Sequence, residues 1–279
     1  MAFALIAIFY PCQEAGLVVE KSFLVQIAEA AAAETLPRFR NPVSVDNKYA
    51  AGFDPVTEAD REAERAIRAV IRSAYPDHGI LGEEHGSENL DNSHVWVIDP
   101  IDGTRAFISG LPVWGTLVGL TVDGKAQAGL MSQPFTGEFF YCDGEGAFYE
   151  RLCNGKAEEP KRLKTRDTVA LADATLFTTT PALYKEAKRL AYDRLEAVVR
   201  LPRYGVDCYA FAMVAAGFVD IAVEAGLQPY DIVALIPIIE KAGGVVTRWD
   251  GGPAEKGGDI IAAATPELHK AALDLLNAG

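Results

Sequence analysis

Cysteine, positive charge and long apolar runs are all in short supply in this sequence, and each shortage removes a class of function. The four cysteines, Cys12, Cys142, Cys153 and Cys208, stand far apart with no C-x-x-C pair. They read as reduced, mostly buried thiols of a cytoplasmic protein, with no catalytic role. Lys and Arg number 26 against 39 Asp and Glu, a formal net charge of −13 and a pI near 4.8. Sequence-independent binding to nucleic acid or to anionic membrane depends on basic surface, so neither is expected here. No stretch approaches the length needed to span a bilayer. The apolar run Phe3 to Phe9 inside Met1 to Cys12 is too short for that and has no Lys or Arg ahead of it, unlike a signal peptide. It is expected to be an untidy terminus or an arm packed on a neighbour. Internal repeats and low-complexity segments are also missing.

What remains is ordinary globular composition: 279 residues, 49% hydrophobic and 23% charged, enough for a sizeable core in one large or two modest domains. The polar, Lys-rich stretch Cys153 to Asp167 is the best boundary candidate, dividing the chain into halves 1–153 and 154–279.

The most informative stretch is Val95-Trp-Val-Ile-Asp-Pro-Ile-Asp-Gly-Thr-Arg-Ala-Phe107. Val95 to Ile98 have the branched and aromatic character of a short interior strand. Pro100 cannot donate to a ladder, so the chain is expected to leave the sheet there, carrying Asp99 and Asp102 into a tight turn. Two unit charges about 4 Å apart repel by about 4 kcal/mol at an effective dielectric near 20. The pair must therefore share a proton, be well solvated, or hold a cation. Ligands that are all oxygen favour magnesium, calcium or manganese over zinc. If Gly103 opens a helix or turn, the free amides of Gly103 and Thr104 are suited to phosphate oxygens. The plainer alternative is a strand followed by an Asp-rich turn, with Asp102 an ordinary cap.

Other segments share this order and spacing. Asp99-Pro-Ile-Asp-Gly-Thr104 resembles the signature of the inositol monophosphatase superfamily. Asp54-Pro-Val-Thr-Glu-Ala-Asp60 is similar to its Val-Thr-x-x-Asp element, and Gly82-Glu83-Glu84 to its Gly-Glu-Glu metal loop. Pro229-Tyr230-Asp231, ahead of an apolar helix ending Ala242-Gly243-Gly244, resembles its Trp-Asp motif with Tyr in place of Trp. The match spans about residues 45 to 265. Within the superfamily, Gly103 to Phe107, Gly110 to Gly115 and Arg203 to Tyr209 look most like the bacterial histidinol-phosphate phosphatase branch. The resemblance implies a layered α+β or α/β sandwich with alternating α-β-α-β-α layers. It also implies two or three Mg2+ ions, with Mn2+ a possible substitute, and often a homodimer.

Read in order, Leu17 to Leu36 has helical periodicity, with Val18, Phe23, Leu24, Ile27 and Ala31 on one face and Pro37 as its stop. A short strand is expected at Val43 to Lys48, then a loop at Tyr49 to Phe53 carrying Lys48, able to close over the metals or simply solvated. Thr57 and Asp60 form a capping box opening a second helix, with Ala63, Ala66, Ile67, Val70, Ile71 and Ala74 on its buried face. Asp123-Gly124 is a hairpin signal between strands near Trp114 to Val122 and Lys125 to Gln133. Strands follow at Glu138 to Cys142 and Ala147 to Leu152. The second half alternates: strand Leu171 to Thr178, helix Pro181 to Leu195, strand Ala197 to Leu201, helix Cys208 to Phe218, strand Asp220 to Glu224. A helix from Asp231 through Ile239, with Pro237 inside it as a kink or late start, precedes strands at Val245 to Trp249 and Asp259 to Ala264 and a helix from Pro266.

By resemblance, Glu83, Asp99, Asp102, Asp231 and the Ile101 carbonyl hold the metals, with Glu84 behind them. Asp60 and Thr104 orient the attacking water, and Glu83 is counted with them as catalytic. Asp102, Gly103 and Thr104 hold the phosphate. Glu224, seven residues before Asp231, sits where the family places a substrate-binding glutamate. Asp207 and Arg105 are further substrate candidates, with a structural salt bridge an equal reading of Arg105. His85 is not expected to be a ligand, because the carboxylates fill that role. The expected activity is Mg2+-dependent hydrolysis of a small phosphate monoester, histidinol phosphate first. Inositol phosphate, fructose bisphosphate and phosphoadenosine phosphate are alternatives. A non-catalytic metal- or phosphate-binding protein, or an assembly protein built on the apolar amino terminus, are rivals of a different class.

Overall fold

The computed structural model describes residues 18–41, 45–47, 55–153, 156–157 and 159–278. The apolar segment Met1 to Cys12 and the loop with Lys48 lie outside the described residues. The elements run α1 (Lys21–Thr35), β1 (Val45–Asn47), β2 (Pro55–Thr57), α2 (Glu58–Ala74), β3 (Gly79–Gly82), β4 (Gly86–Glu88), β5 (His94–Asp102), α3 (Thr104–Ile108), β6 (Gly115–Val122), β7 (Lys125–Gln133), β8 (Glu138–Cys142) and β9 (Ala147–Cys153). They continue with β10 (Lys156–Ala157), β11 (Lys161–Arg162), β12 (Thr175–Thr178), α4 (Glu186–Glu196), β13 (Leu201–Tyr204), α5 (Tyr209–Ala215), β14 (Ile221–Leu227), α6 (Pro229–Ile232), α7 (Leu235–Ala242), β15 (Val245–Arg248), β16 (Gly258–Ala263) and α8 (Pro266–Leu276).

The large sheet has the order β10-β9-β8-β7-β6-β5-β3-β4, with β11 also on β9, and the second sheet the order β13-β12-β14-β16-β15. Apolar side chains of α1 and α2, among them Leu24, Ile27, Ile67 and Ile71, pack on Trp96, Ile98, Val118 and Leu130 of the large sheet. On its other face Leu117 and Met131 join α5 and α7 in a core shared with Ala222, Ile260 and Ala262 of the second sheet. Tyr192 and Leu195 of α4, with Leu268 and Ala272 of α8, cover the outer face of that sheet through Ile221, Val223 and Ile261. The result is the expected layered sandwich, helix pair, sheet, helix pair, sheet, helix pair. Among the described residues no helix is long and apolar enough to cross a membrane.

Several local expectations hold for plain reasons. Asp123 and Gly124 have φ of 50° and 76°, the left-handed geometry of a two-residue hairpin between β6 and β7. Thr57 caps α2, and Asp60 completes the box. Others need correction. Val18 precedes α1 and is exposed, and Ala74, at the last turn of α2, is exposed as well. The chain does not leave the sheet at Pro100. β5 runs on to Asp102, with a register shift against β6 between Asp99 and Asp102. A bulge is where proline's missing donor costs no ladder bond, and the Pro100 carbonyl accepts from Thr116 Oγ1 at 2.8 Å. Residues 197–200 are not a strand. The chain is still leaving α4 there, and pairing begins at Leu201.

The expected helix from Asp231 to Ile239 is two helices, broken at Val233 and Ala234. Pro237 removes the amide that would have bonded the Val233 carbonyl, four residues back. The break seats against the sheet at a pair of glycines, Gly119 and Gly129, which face each other across β6 and β7. A methyl on Gly129 would overlap the Ala234 carbonyl oxygen, and one on Gly119 would lie 2.7 Å from the Ala234 nitrogen. Gly129→Ala is therefore expected to cost about 1–3 kcal/mol, the usual range for overpacking, read as a lower thermal midpoint without loss of cooperative unfolding. An unchanged midpoint would show that the helix break can move away from the sheet.

Candidate metal centre and active site

Three elements deliver the acidic cluster. The bulged end of β5 carries Asp99 and Asp102, the β3–β4 turn carries Glu83, and α6 carries Asp231. Carboxylate oxygens of Asp99, Asp102 and Asp231 all lie within 4.8 Å of one another. Asp99 is buried and accepts a 3.0 Å hydrogen bond from the Ile101 amide. Asp102 accepts from the Cys208 amide at 2.7 Å, across 106 positions of sequence. Asp231 is the third residue of α6 and accepts from the Gln228 amide at 2.7 Å, closing a second capping box.

The electrostatics follow from this crowding. Burial, then the charges of Glu83, Asp102 and Asp231, pushes the Asp99 carboxyl well above the usual carboxylate range, and Glu83 lies in hydrogen-bonding reach of it. Burial, then Asp207 and Asp231, does the same to Asp102, while the Cys208 thiol and then its amide pull the other way. Crowding of this kind is relieved by sharing a proton or by holding a cation. Among the described residues the converging donors are the hard carboxylate oxygens of Asp99, Asp102 and Asp231, which fit Mg2+ or Mn2+. His85 points elsewhere, its Nε2 2.9 Å from the Arg61 carbonyl.

Beside the carboxylates sits a polar chain. Thr104 Oγ1 is 3.3 Å from Asp60 Oδ1 and 3.2 Å from the Ile101 carbonyl, and its single proton can serve only one at a time. Asp60 Oδ2 takes both the Thr57 amide, at 2.8 Å, and the Thr57 hydroxyl, at 2.6 Å. Burial raises the Asp60 carboxyl, Thr57 lowers it, and Glu83 raises it further. The cap thus locks one Asp60 oxygen and leaves the other to Thr104. Gly103, at φ 83°, turns the chain into α3, whose first residue is Thr104. A side chain at Gly103 would also press on Asp207, at 3.0 Å from its Oδ2.

Asp207 and Glu224 form a second acidic pair next to the cluster. Glu224 is buried within β14, which continues to Leu227 and does not end at Glu224. Its Oε1 accepts from the Thr179 amide at 2.5 Å, and burial raises its carboxyl to about 8, with Asp207 adding to the rise. Asp207, held at φ 41°, is raised by burial and lowered by Thr179 and Arg105. Thr179, the Cys208 amide and the buried Glu64 and Arg68 were missed in sequence. Only Glu64 and Arg68 left a signal, an i,i+4 pair on the face of α2 that also carries Ala63 and Ile67.

A sequence profile described as the inositol monophosphatase family matches residues 19–278, and the chain belongs to that family. Among its relatives, a chloroplastic bifunctional phosphatase of Arabidopsis thaliana is 41% identical over 235 residues, 80% of this chain. The matched part is 66% of that protein, just under two thirds of its length. A histidinol-phosphatase of Chlorobaculum parvum is 34% identical over 248 residues, covering 88% of this chain and 92% of the relative. The solved structure of an inositol monophosphatase from Zymomonas mobilis superposes with a TM-score of 0.79 at 36% identity, over 92% of this chain and 97% of the other.

Proposed function

We propose that this protein is a Mg2+-dependent phosphomonoesterase, and that its substrate is histidinol phosphate. The observation that carries the phosphatase reading is the convergence of Asp99, Asp102 and Asp231 from two separate elements onto one point, with Thr104 beside them. Glu83, Asp99, Asp102, Asp231 and the Ile101 carbonyl would hold the metal, and Glu84 would back them. When bound, magnesium supplies positive charge against the phosphoryl oxygens, acidifies water and stabilises the departing alkoxide. The chain's own residues do the positioning. Thr104 gives its proton to Asp60 in a hydrogen bond, which turns its lone pairs toward a water and orients that water as nucleophile. The amides of Gly103 and Thr104 would receive the phosphate.

The leaving alcohol of histidinol phosphate carries an ammonium and an imidazole. Asp207 and Glu224 are acidic groups suited to both, and a cation between them would restore the charge that burial suppresses. Arg105, whose charge acts on Asp207, would hold that carboxylate in place. Relatives named as histidinol-phosphatases support this choice. Inositol phosphate is the second reading, favoured by the Zymomonas mobilis structure and by the ability of Glu224 to take a hydroxyl. A cytoplasmic homodimer belongs to the same proposal.

Phosphate release with Mg2+ from histidinol phosphate and inositol monophosphate, side by side, tests the substrate. A preference for histidinol phosphate above about a hundredfold in kcat/KM, near 3 kcal/mol, is the expected result. Comparable rates on several esters would reduce the protein to a generalist phosphatase, and no release from any would favour a binding protein.

A further inference from the structure

We infer that Glu64, clamped by Arg68, is a positioning residue that sets how strongly the metal centre binds, by fixing the backbone of the turn that carries Glu83. This rests on reading Glu83 as a metal ligand. The pair sits on α2, with side chains 0% and 5% exposed and Arg68 Nε donating to Glu64 Oε1 at 2.7 Å. Glu64 spends its remaining capacity on the turn between β3 and β4. Its Oε2 accepts from the Glu84 amide at 2.6 Å and its Oε1 from the His85 amide at 3.2 Å. Arg68 closes the clamp on the far side by donating to the Gly86 carbonyl. Three backbone groups of a five-residue turn are thus held by one ion pair. The Glu83 amide itself donates to the Ile98 carbonyl at 3.1 Å, one residue before Asp99. The turn is therefore pinned to α2 on one side and to the metal strand on the other.

Gly82 makes the close approach possible, because a methyl there would overlap Glu64 Oε1 and lie 2.7 Å from the Arg68 guanidinium. A buried ion pair is an expensive way to fill core volume, since apolar residues of similar size commonly do as well or better. What apolar residues cannot do is accept two amide protons and donate to a carbonyl. Both Glu64 oxygens face amides, so Glu64 orients a ligand and is not itself one. Residues that orient metal ligands in this way typically cost about 10- to 100-fold in metal affinity when removed.

The test is Mn2+ binding to the metal-free protein, followed by electron paramagnetic resonance, for the wild type, Glu64→Gln, Gly82→Ala, Glu83→Gln and Ile71→Val. Gly82→Ala disturbs the same carboxylate without removing its charge, and serves if Glu64→Gln does not fold. Ile71→Val loosens the same helix in its apolar core, away from the turn. Glu64→Gln and Gly82→Ala are expected to weaken Mn2+ binding by about 10- to 100-fold, with Ile71→Val binding as wild type despite a lower melting temperature. Wild-type affinity in Glu64→Gln and Gly82→Ala, alongside weakened binding in Glu83→Gln, would overturn the inference. So would an equal loss of affinity in Ile71→Val. Wild-type affinity in Glu83→Gln would instead overturn the reading of Glu83 as a ligand.

Discussion

Asp99→Asn is expected to abolish Mg2+-dependent phosphate release, by about a thousandfold or more on the scale of losing a group that stabilises transition-state charge, while making the metal-free protein more stable. The two effects have one cause. Asp99 is buried among Glu83, Asp102 and Asp231, so its charge is unfavourable without a cation, and on the proposed reading that same charge holds the metal. An amide of the same shape keeps the acceptor for the Ile101 amide and removes the repulsion. The sign with pH can be worked out. A carboxyl whose folded pKa lies above its unfolded value contributes stability fully below the unfolded value, and that contribution is lost as pH rises through the folded one. Asp99 and Asp102 are both of this kind. The metal-free wild type should therefore melt well below Asp99→Asn near pH 8, and the gap should narrow as pH falls toward 5. Thermal melts in a chelator check this, and adding Mg2+ should raise the wild type and leave the variant nearly unmoved. A variant less stable than wild type in chelator would mean that the cluster is not under electrostatic strain.

Thr104→Ala should lower kcat by about 100- to 10,000-fold, the range for a lost proton-handling group, with little change in Mg2+ affinity. Among the described residues its hydroxyl reaches Asp60 and the Ile101 carbonyl, and neither bond involves the carboxylates of Asp99, Asp102 or Asp231. Asp60→Asn should match it in kcat, and combining the two should cost little more than either alone if, as proposed, they act on one water as a unit. The structure adds a separation that the sequence motif alone does not. Thr57→Ala removes the hydroxyl from Asp60 Oδ2 and the α2 cap together, so it should cost about 1 kcal/mol of stability and only a part of the activity. Initial rates and melts on the four variants distinguish a catalytic pair from a capping box. Near-additive losses in the double variant would count against a shared water.

The sequence by itself determined the local pieces whose chemistry is contained in a few neighbouring residues. Thr57 and Asp60 make a cap, Asp123 and Gly124 make a hairpin turn, and Asp99 to Thr104 make a carboxylate bend followed by a glycine. In each case the interacting atoms are within about four residues, so spacing is geometry. Tertiary structure decided everything that required distant segments to meet. The Cys208 amide, at the start of α5, reaches Asp102 at the end of β5, and no spacing announces a bond across 106 positions. Glu224 proved to be an interior carboxylate because β14 continues past it between β12 and β16. The helix after Asp231 broke where Pro237 withdrew an amide and where two glycines on adjacent strands opened a seat for the break. Glu64 and Arg68 are an i,i+4 pair in sequence, and they are buried because the β3–β4 turn folds over them. Local spacing carries which groups are present. Only packing sets their dielectric and their neighbours, and those two quantities govern their charge and their use.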